Sequence, residues 1–201
     1  DGRGCASVGF SGRGLAVSLH VICGPMRSGK TAELIRCVQQ ARVYGREARV
    51  FVHELGVNRN DHILFSRSGK SIGAKPVRSP DEVYGADVLA VDEAHFWDQF
   101  QVRRLVELSR DHEVIVAGLD TSFRGEPFDG MAYLLAMADS VTKVAAVCAR
   151  CGEPATRTQR LIDGKPAPWD SPVILPGGDD VYEPRCERCH EVPGRPEVSA
   201  V

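Results

Sequence analysis

The chain carries no excess of either charge: 25 Lys and Arg stand against 27 Asp and Glu, a net charge of −2. That removes the bulk electrostatic case for a nucleic-acid or membrane-surface partner. No apolar run approaches the ~20 residues a helix needs to cross a bilayer. The Gly- and Arg-rich start, Asp1 to Arg13, lacks an apolar stretch of signal-peptide length. Residues 1–16 therefore read as a disordered leader or an upstream extension, and the cytoplasm as the expected compartment. There is no internal repeat. Three of the seven cysteines (Cys5, Cys23 and Cys37) have no spacing that implies a partner and read as small apolar residues. With 201 residues and 43% hydrophobic content, the chain can form one domain with a core, or one domain plus a small module.

What is present begins with Gly24-Pro25-Met26-Arg27-Ser28-Gly29-Lys30-Thr31, which fits the phosphate-loop pattern G-x-x-x-x-G-K-[ST] at every defined position. An apolar run, Ala16 to Ile22, reads as a strand before it, and Lys30 to Tyr44 as an amphipathic helix after it. Gly24 and Gly29 let the backbone curl so that its N–H groups face an anion, and the helix start adds partial positive charge. Lys30 can reach the β- and γ-phosphates of a nucleoside triphosphate, and the Thr31 hydroxyl can hold Mg²⁺.

Downstream, strands alternate with helices. Ala48–His53, Asp87–Val91, Glu113–Leu119 and Val141–Val147 read as strands; Phe96–Leu108 and Phe128–Ala138 carry helical signals. Ser79-Pro80-Asp81-Glu82 has the form of a capped helix start. Near-continuous apolar strands separated by helices predict an α/β fold with a mainly parallel sheet covered on both faces. Its ligands are expected at the carboxyl ends of the strands. Composition changes at Cys148, which divides the chain into a nucleotide-binding domain, 17–147, a small module, 148–191, and a disordered tail, 192–201. The module contains a long loop rich in Gly and Pro, Asp163 to Asp180.

Asp92-Glu93-Ala94-His95 follows an apolar strand, as a Walker-B acidic pair does. Asp92 suits Mg²⁺, and Glu93 suits a base that takes a proton from the attacking nucleophile. If the nucleophile is water the protein is an ATPase; if it is a substrate hydroxyl, a kinase. The letters D-E-A-H also suggest a helicase, but one domain of this size without a basic track lacks a second motor and a nucleic-acid path. His95 reads as a supporting or packing residue.

Cys148-x-x-Cys151 and Cys186-x-x-Cys189 are separated by 34 residues. Each C-x-x-C aims two thiolates at one ion, and two such knuckles close a tetrahedral Zn²⁺ shell with no open position, hence a structural role. The ion would staple the long loop at both ends. His190, beside Cys189, is a competing ligand.

The phosphate loop, Asp92-Glu93-Ala94-His95-Phe96, the segment Gly118 to Phe128 (GLDTSFRGEPF) and the two knuckles, in this order, resemble the cytosolic zinc-containing thymidine kinases over roughly Leu19 to His190. The resemblance implies a RecA-like P-loop core with a small C-terminal zinc-ribbon or lasso domain. It implies transfer of the γ-phosphate of ATP to the 5′-hydroxyl of thymidine, giving thymidine monophosphate for DNA synthesis. Glu93 matches the general base; Gly24 to Thr31, with Asp92 to His95, match the ATP and Mg²⁺ site. Met26, Phe96, Leu119 and Phe123 match residues enclosing the thymine, and Thr158 and Tyr182 residues near it. From composition alone Phe96 and Phe123 would be core. The loop before Cys186 resembles the lasso whose backbone bonds the base, so zinc would anchor the substrate cover. The resemblance further implies a homotetramer inhibited by thymidine triphosphate in the substrate site. Where members usually carry an Asp-x-Arg-Tyr-like segment, this chain has Val57-Asn58-Arg59-Asn60; Ser66-Arg67-Ser68-Gly69 fits better. The lasso is longer and richer in proline around Pro172 to Gly178. Arg124 reads as a helix-capping or a phosphate-facing residue. Two further readings stand beside the kinase: a P-loop ATPase switch, and a zinc-ribbon binding module with a vestigial nucleotide fold. The intact Lys30, Thr31, Asp92 and Glu93 argue against the latter.

Overall fold

A computed structural model describes residues 18–56, 62–174 and 181–196. The leader, Arg59, residues 175–178 of the covering loop and residues 197–201 lie outside them. Six strands form one parallel sheet: β1 (Ser18–Cys23), β2 (Ala48–His53), β5 (Lys75–Val77), β6 (Val88–Asp92), β7 (Glu113–Gly118) and β8 (Ser140–Lys143), in the order β5-β2-β6-β7-β1-β8. Between β2 and β5, a hairpin of β3 (Ile63–Phe65) and β4 (Ser71–Gly73) stands apart from the sheet.

The strands read as unbroken apolar runs because both faces are buried. Leu19, Val21, Leu89, Val91, Val114 and Val116 join one core cluster; Ile22, Val88, Ala90, Ile115 and Ala117 join the other. Helix α1 (Lys30–Val43) covers the second cluster with Leu34, Ile35, Val38 and Ala41, spaced one face apart. Each large aliphatic side chain so buried contributes roughly 1.5–3 kcal/mol. The helix stops at Gly45, whose positive φ lets Arg46 N–H return to the Ala41 carbonyl. On the opposite face lie α2 (Arg103–Leu108) and α3 (Asp129–Met137). Among the described residues no helix is long and apolar enough to cross a membrane.

Two expected elements differ. The helical pattern of Phe96–Leu108 yields only a six-residue helix, α2, preceded by turns. Asp98 Oδ1 accepts from the N–H groups of Phe100 and Gln101, an Asx-type turn that competes with helix, and Phe100 is left 68% exposed. The strand expected over Val141–Val147 divides in two. After β8 the Val144 N–H closes on the Cys23 carbonyl at 2.8 Å. The chain then leaves the sheet, and β9 (Ala146–Val147) pairs instead with β10 (Pro154–Ala155). At Ser79 the expected cap is present: its Oγ accepts from Asp81 N–H, and Glu82 returns a carboxylate to Ser79 N–H, opening a 3-10 turn rather than an α-helix.

Beyond β10, β11 (Arg157–Ile162) is flanked by β12 (Lys165–Pro166) and β13 (Tyr182–Arg185) in an antiparallel sheet. The small core beneath the knuckles holds only Cys148, Ala155 and Cys186 as buried members. The register that pairs Cys23 with Gly118, and Val52 with Asp92, brings the carboxyl ends of β1, β7, β2 and β6 to one edge.

Candidate active site

The phosphate loop turns between β1 and α1. Gly24 has φ +147°, and a Cβ there would lie 2.2 Å from the Val144 carbonyl oxygen, so no other residue fits. Lys30 is buried at the helix start, its Nζ donating to the Pro25 carbonyl at 2.8 Å. Thr31 Oγ1 donates to Asp92 Oδ2 at 2.7 Å, and Asp92 Oδ1 accepts from Glu93 N–H at 2.9 Å. These bonds join the helix start to the end of β6. The loop thus places Gly24, Pro25, Met26, Arg27, Ser28, Gly29, Lys30 and Thr31 around the start of α1.

Glu93 sits in the left-handed region, φ 59°, where the chain turns sharply out of β6. A Cβ on Gly56 would come within 2.6 Å of Glu93 Cγ, so Gly56 makes room for it. Burial, then the neighbouring Asp92 charge, push the Glu93 carboxyl up to about 7, with Lys30 pulling the other way. His95 is buried, and burial together with Lys30 and His53 holds its ring down at about 3. It is therefore neutral. Its Nδ1 accepts from Leu119 N–H at 3.4 Å and lies 3.3 Å from Glu93 Oε2.

From Glu93 the wall runs into a cavity of about 170 Å³. Met26, Phe96, Leu119, Phe123, Thr158 and Tyr182, six residues named from the sequence, all line it, with Glu93 and His95. Leu55, Gly56, Ser122, Phe128, Val173 and Ile174 complete the wall. Met26 lies in the phosphate loop, Phe96 closes Asp92–Phe96, and Leu119 and Phe123 lie in Gly118–Phe128; with Thr158 and Tyr182 they come from five separate parts of the chain. Ala94 differs from the expectation: it is wholly buried in the core. His95 faces this cavity, beside Glu93, and not the phosphate loop.

The module and the loop touch directly. Met26 N–H donates to Thr158 Oγ1 at 3.1 Å. At the tip of the β3–β4 hairpin, Arg67 lies near enough to Arg27 of the phosphate loop that the two charges repel. Arg124 does not cap α3; its Nη2 donates to the Ser171 carbonyl at 3.0 Å.

The sulfurs of Cys148, Cys151, Cys186 and Cys189 all lie within 4.8 Å of one another, with Cys151 and Cys186 at 3.6 Å. A tetrahedral zinc with Zn–S near 2.3 Å spaces its sulfurs about 3.8 Å apart, so the cluster fits that ion. Desolvation raises the Cys148 thiol, but backbone hydrogen bonds from Cys186, Arg150 and Cys151 outweigh it and bring the thiol down to about 6. Such N–H···S bonds favour the thiolate a metal needs. His190 is not part of the cluster; its Nε2 lies 2.8 Å from the Phe123 carbonyl, tying the second knuckle to the cavity wall.

A phosphate loop joined to an acidic pair, with a half-buried carboxylate opening onto a mostly apolar cavity, defines a P-loop phosphotransferase that acts on a small organic acceptor. The family model for thymidine kinase matches residues 17–190. The chain belongs to the thymidine kinase family, and its reaction is the phosphorylation of thymidine by ATP.

Proposed function

We propose that Glu93 is the general base of this reaction and that the cavity beside it holds the nucleoside. The observation that carries the reading is the position of Glu93. Its main chain adjoins Asp92 and so the phosphate loop, while its side chain lines the cavity. The 5′-hydroxyl oxygen attacks the γ-phosphorus, the bond to the bridging oxygen of ADP breaks, and the hydroxyl proton passes to the Glu93 carboxylate. Once protonated, Glu93 can compete with the long Leu119 N–H bond for the one lone pair of the neutral His95 Nδ1, 3.3 Å away. Gly24 to Thr31 cradle the phosphates with main-chain N–H groups and Lys30. Thr31 and Asp92 would hold Mg²⁺, which when bound offsets charge on the β- and γ-oxygens. Met26, Phe96, Leu119, Phe123, Thr158 and Tyr182 enclose the thymine. Cys148, Cys151, Cys186 and Cys189 hold a structural zinc.

Thymidine triphosphate shares the base and is assigned to the same cavity as a feedback ligand. A homotetramer belongs to this reading too, supported by the exposed apolar Val43, Tyr44 and Phe100. So does a cytoplasmic location, in keeping with cysteines clustered as metal ligands rather than paired in disulfides.

The test is ADP release from Mg-ATP with no nucleoside, with thymidine and with deoxycytidine. Turnover only with thymidine, yielding thymidine monophosphate, is expected; equal turnover in all three would make water the nucleophile. The pH dependence follows from Glu93. A base raised to about 7 is protonated and inactive below that value. The kcat/KM for thymidine should therefore climb with pH through about 7 and level off above it. A profile flat from pH 5.5 to 8.5 would remove Glu93 from this role.

A further inference from the structure

The covering side of the cavity is fastened by alternating cations and arenes that run to the end of the described chain. The Arg160 guanidinium carbon lies 5.6 Å from the Phe123 ring centre; that of Arg124 lies 5.7 Å from the same ring and 5.0 Å from the Trp169 ring. Arg195 meets Trp169 from its own position at 5.8 Å. Phe123 is a cavity wall, whereas Arg195 lies beyond the last residue the family model matches, 190. The two inner guanidiniums also hold the main chain of the segment carrying Val173 and Ile174. Arg124 donates to the Ser171 carbonyl at 3.0 Å and Arg160 to the Pro172 carbonyl at 2.5 Å. Among the described residues, the buried Nε atoms of both have no hydrogen-bond partner. Ring faces and carbonyl dipoles are thus what compensates these charges.

The end of the described chain is itself anchored. Buried Gln159 exchanges two hydrogen bonds with the Glu191 main chain, Nε2 to its carbonyl at 2.8 Å and Oε1 from its N–H at 2.9 Å. From there the Pro193 carbonyl accepts from Trp169 N–H at 2.8 Å.

We propose that Trp169 and Arg195 are positioning residues for nucleoside binding: residues 191–195 latch the segment 167–174 over the cavity. The segment is then ordered before the nucleoside arrives, which removes an ordering cost from binding. It does not touch the phosphate transfer itself. The inference rests on the reading of the cavity as the nucleoside site.

The test compares the full chain with a truncation after Val192 and with Trp169→Ala, Trp169→Phe, Arg195→Ala and Arg195→Lys. Steady-state kinetics, thymidine titration calorimetry and hydrogen exchange of 167–174 without nucleoside are measured on each. The truncation and Trp169→Ala should raise thymidine KM and Kd by about tenfold, with kcat within about twofold. ATP affinity measured without thymidine should be unchanged, and exchange in 167–174 should accelerate. Arg195→Ala should shift KM in the same direction by a smaller factor; Trp169→Phe and Arg195→Lys, which keep a ring and a cation, should restore most of the affinity. Wild-type exchange and wild-type KM in the truncation would overturn the latch, as would a fall in kcat at constant KM. If the full chain binds no thymidine yet exchange still depends on residues 193–195, the latch stands and the assignment of the cavity fails.

Discussion

Glu93→Gln lowers kcat by about 10²–10⁴-fold while thymidine and ATP still bind, the range expected when a positioned general base is removed. The substitution keeps the shape of the side chain and removes only its ability to take a proton. Its amide has the same size and stays within reach of His95 Nδ1, which lies 3.3 Å from Glu93 Oε2, so the wall of the cavity survives. Stability should not suffer. Burial raises the folded-state value of Glu93 to about 7, above its ordinary 4.5. Stability linked to that group is therefore full below the ordinary value and declines as pH rises toward 7. A neutral glutamine escapes that decline, and above pH 7 the variant should melt no lower than the wild type. Single-turnover quench with both substrates, alongside calorimetry for each, checks the result. Phosphate transfer within about threefold of wild type would show that the proton leaves by another route.

Removing the metal from the cysteine cluster should abolish nucleoside binding while sparing nucleotide binding. Among the described residues the cluster beneath the knuckles has only three buried members, Cys148, Ala155 and Cys186, and Ala167 is the one further buried apolar residue of the module, too few to hold a fold without a cross-link. Three cavity features depend on it: Thr158 on β11, Tyr182 on β13, and the Phe123 carbonyl held by His190. The sheet and α1 keep their own two core clusters. Chelation under reducing conditions, or Cys186→Ser, should weaken thymidine binding by about a hundredfold or more, and ATP binding by far less. Zinc analysis and paired titrations test it. Thymidine affinity retained in metal-free protein would rule out a supporting role for the ion.

The phosphate loop, the acidic pair and both knuckles were legible because each is a local pattern whose chemistry demands fixed spacing. The boundaries of α1 were legible for a similar reason, since Gly45 is a local stop. The run Phe96–Leu108 misled because helical spacing of apolar residues says nothing about Asp98, whose carboxylate captures two N–H groups. The split after Lys143 was hidden because Val144 bonds to Cys23, far away in sequence. Arg124 could not be placed for the same kind of reason: its partner, Ser171, is 47 residues on. Leu55 and Gly56 wall the cavity because they follow β2 at the carboxyl edge of the sheet, and Val173 and Ile174 because Arg124 and Arg160 hold the neighbouring Ser171 and Pro172 carbonyls.

Met26 belongs to the phosphate loop and also lines the cavity proposed for the nucleoside, and its N–H is held by Thr158. Donor and acceptor sites therefore share one residue rather than merely adjoining. Thermodynamic linkage then applies: whatever factor bound thymidine imposes on ATP affinity by shifting Met26, bound ATP imposes on thymidine affinity in equal measure. A substitution at Met26 or Thr158 that alters this factor alters it equally for both ligands.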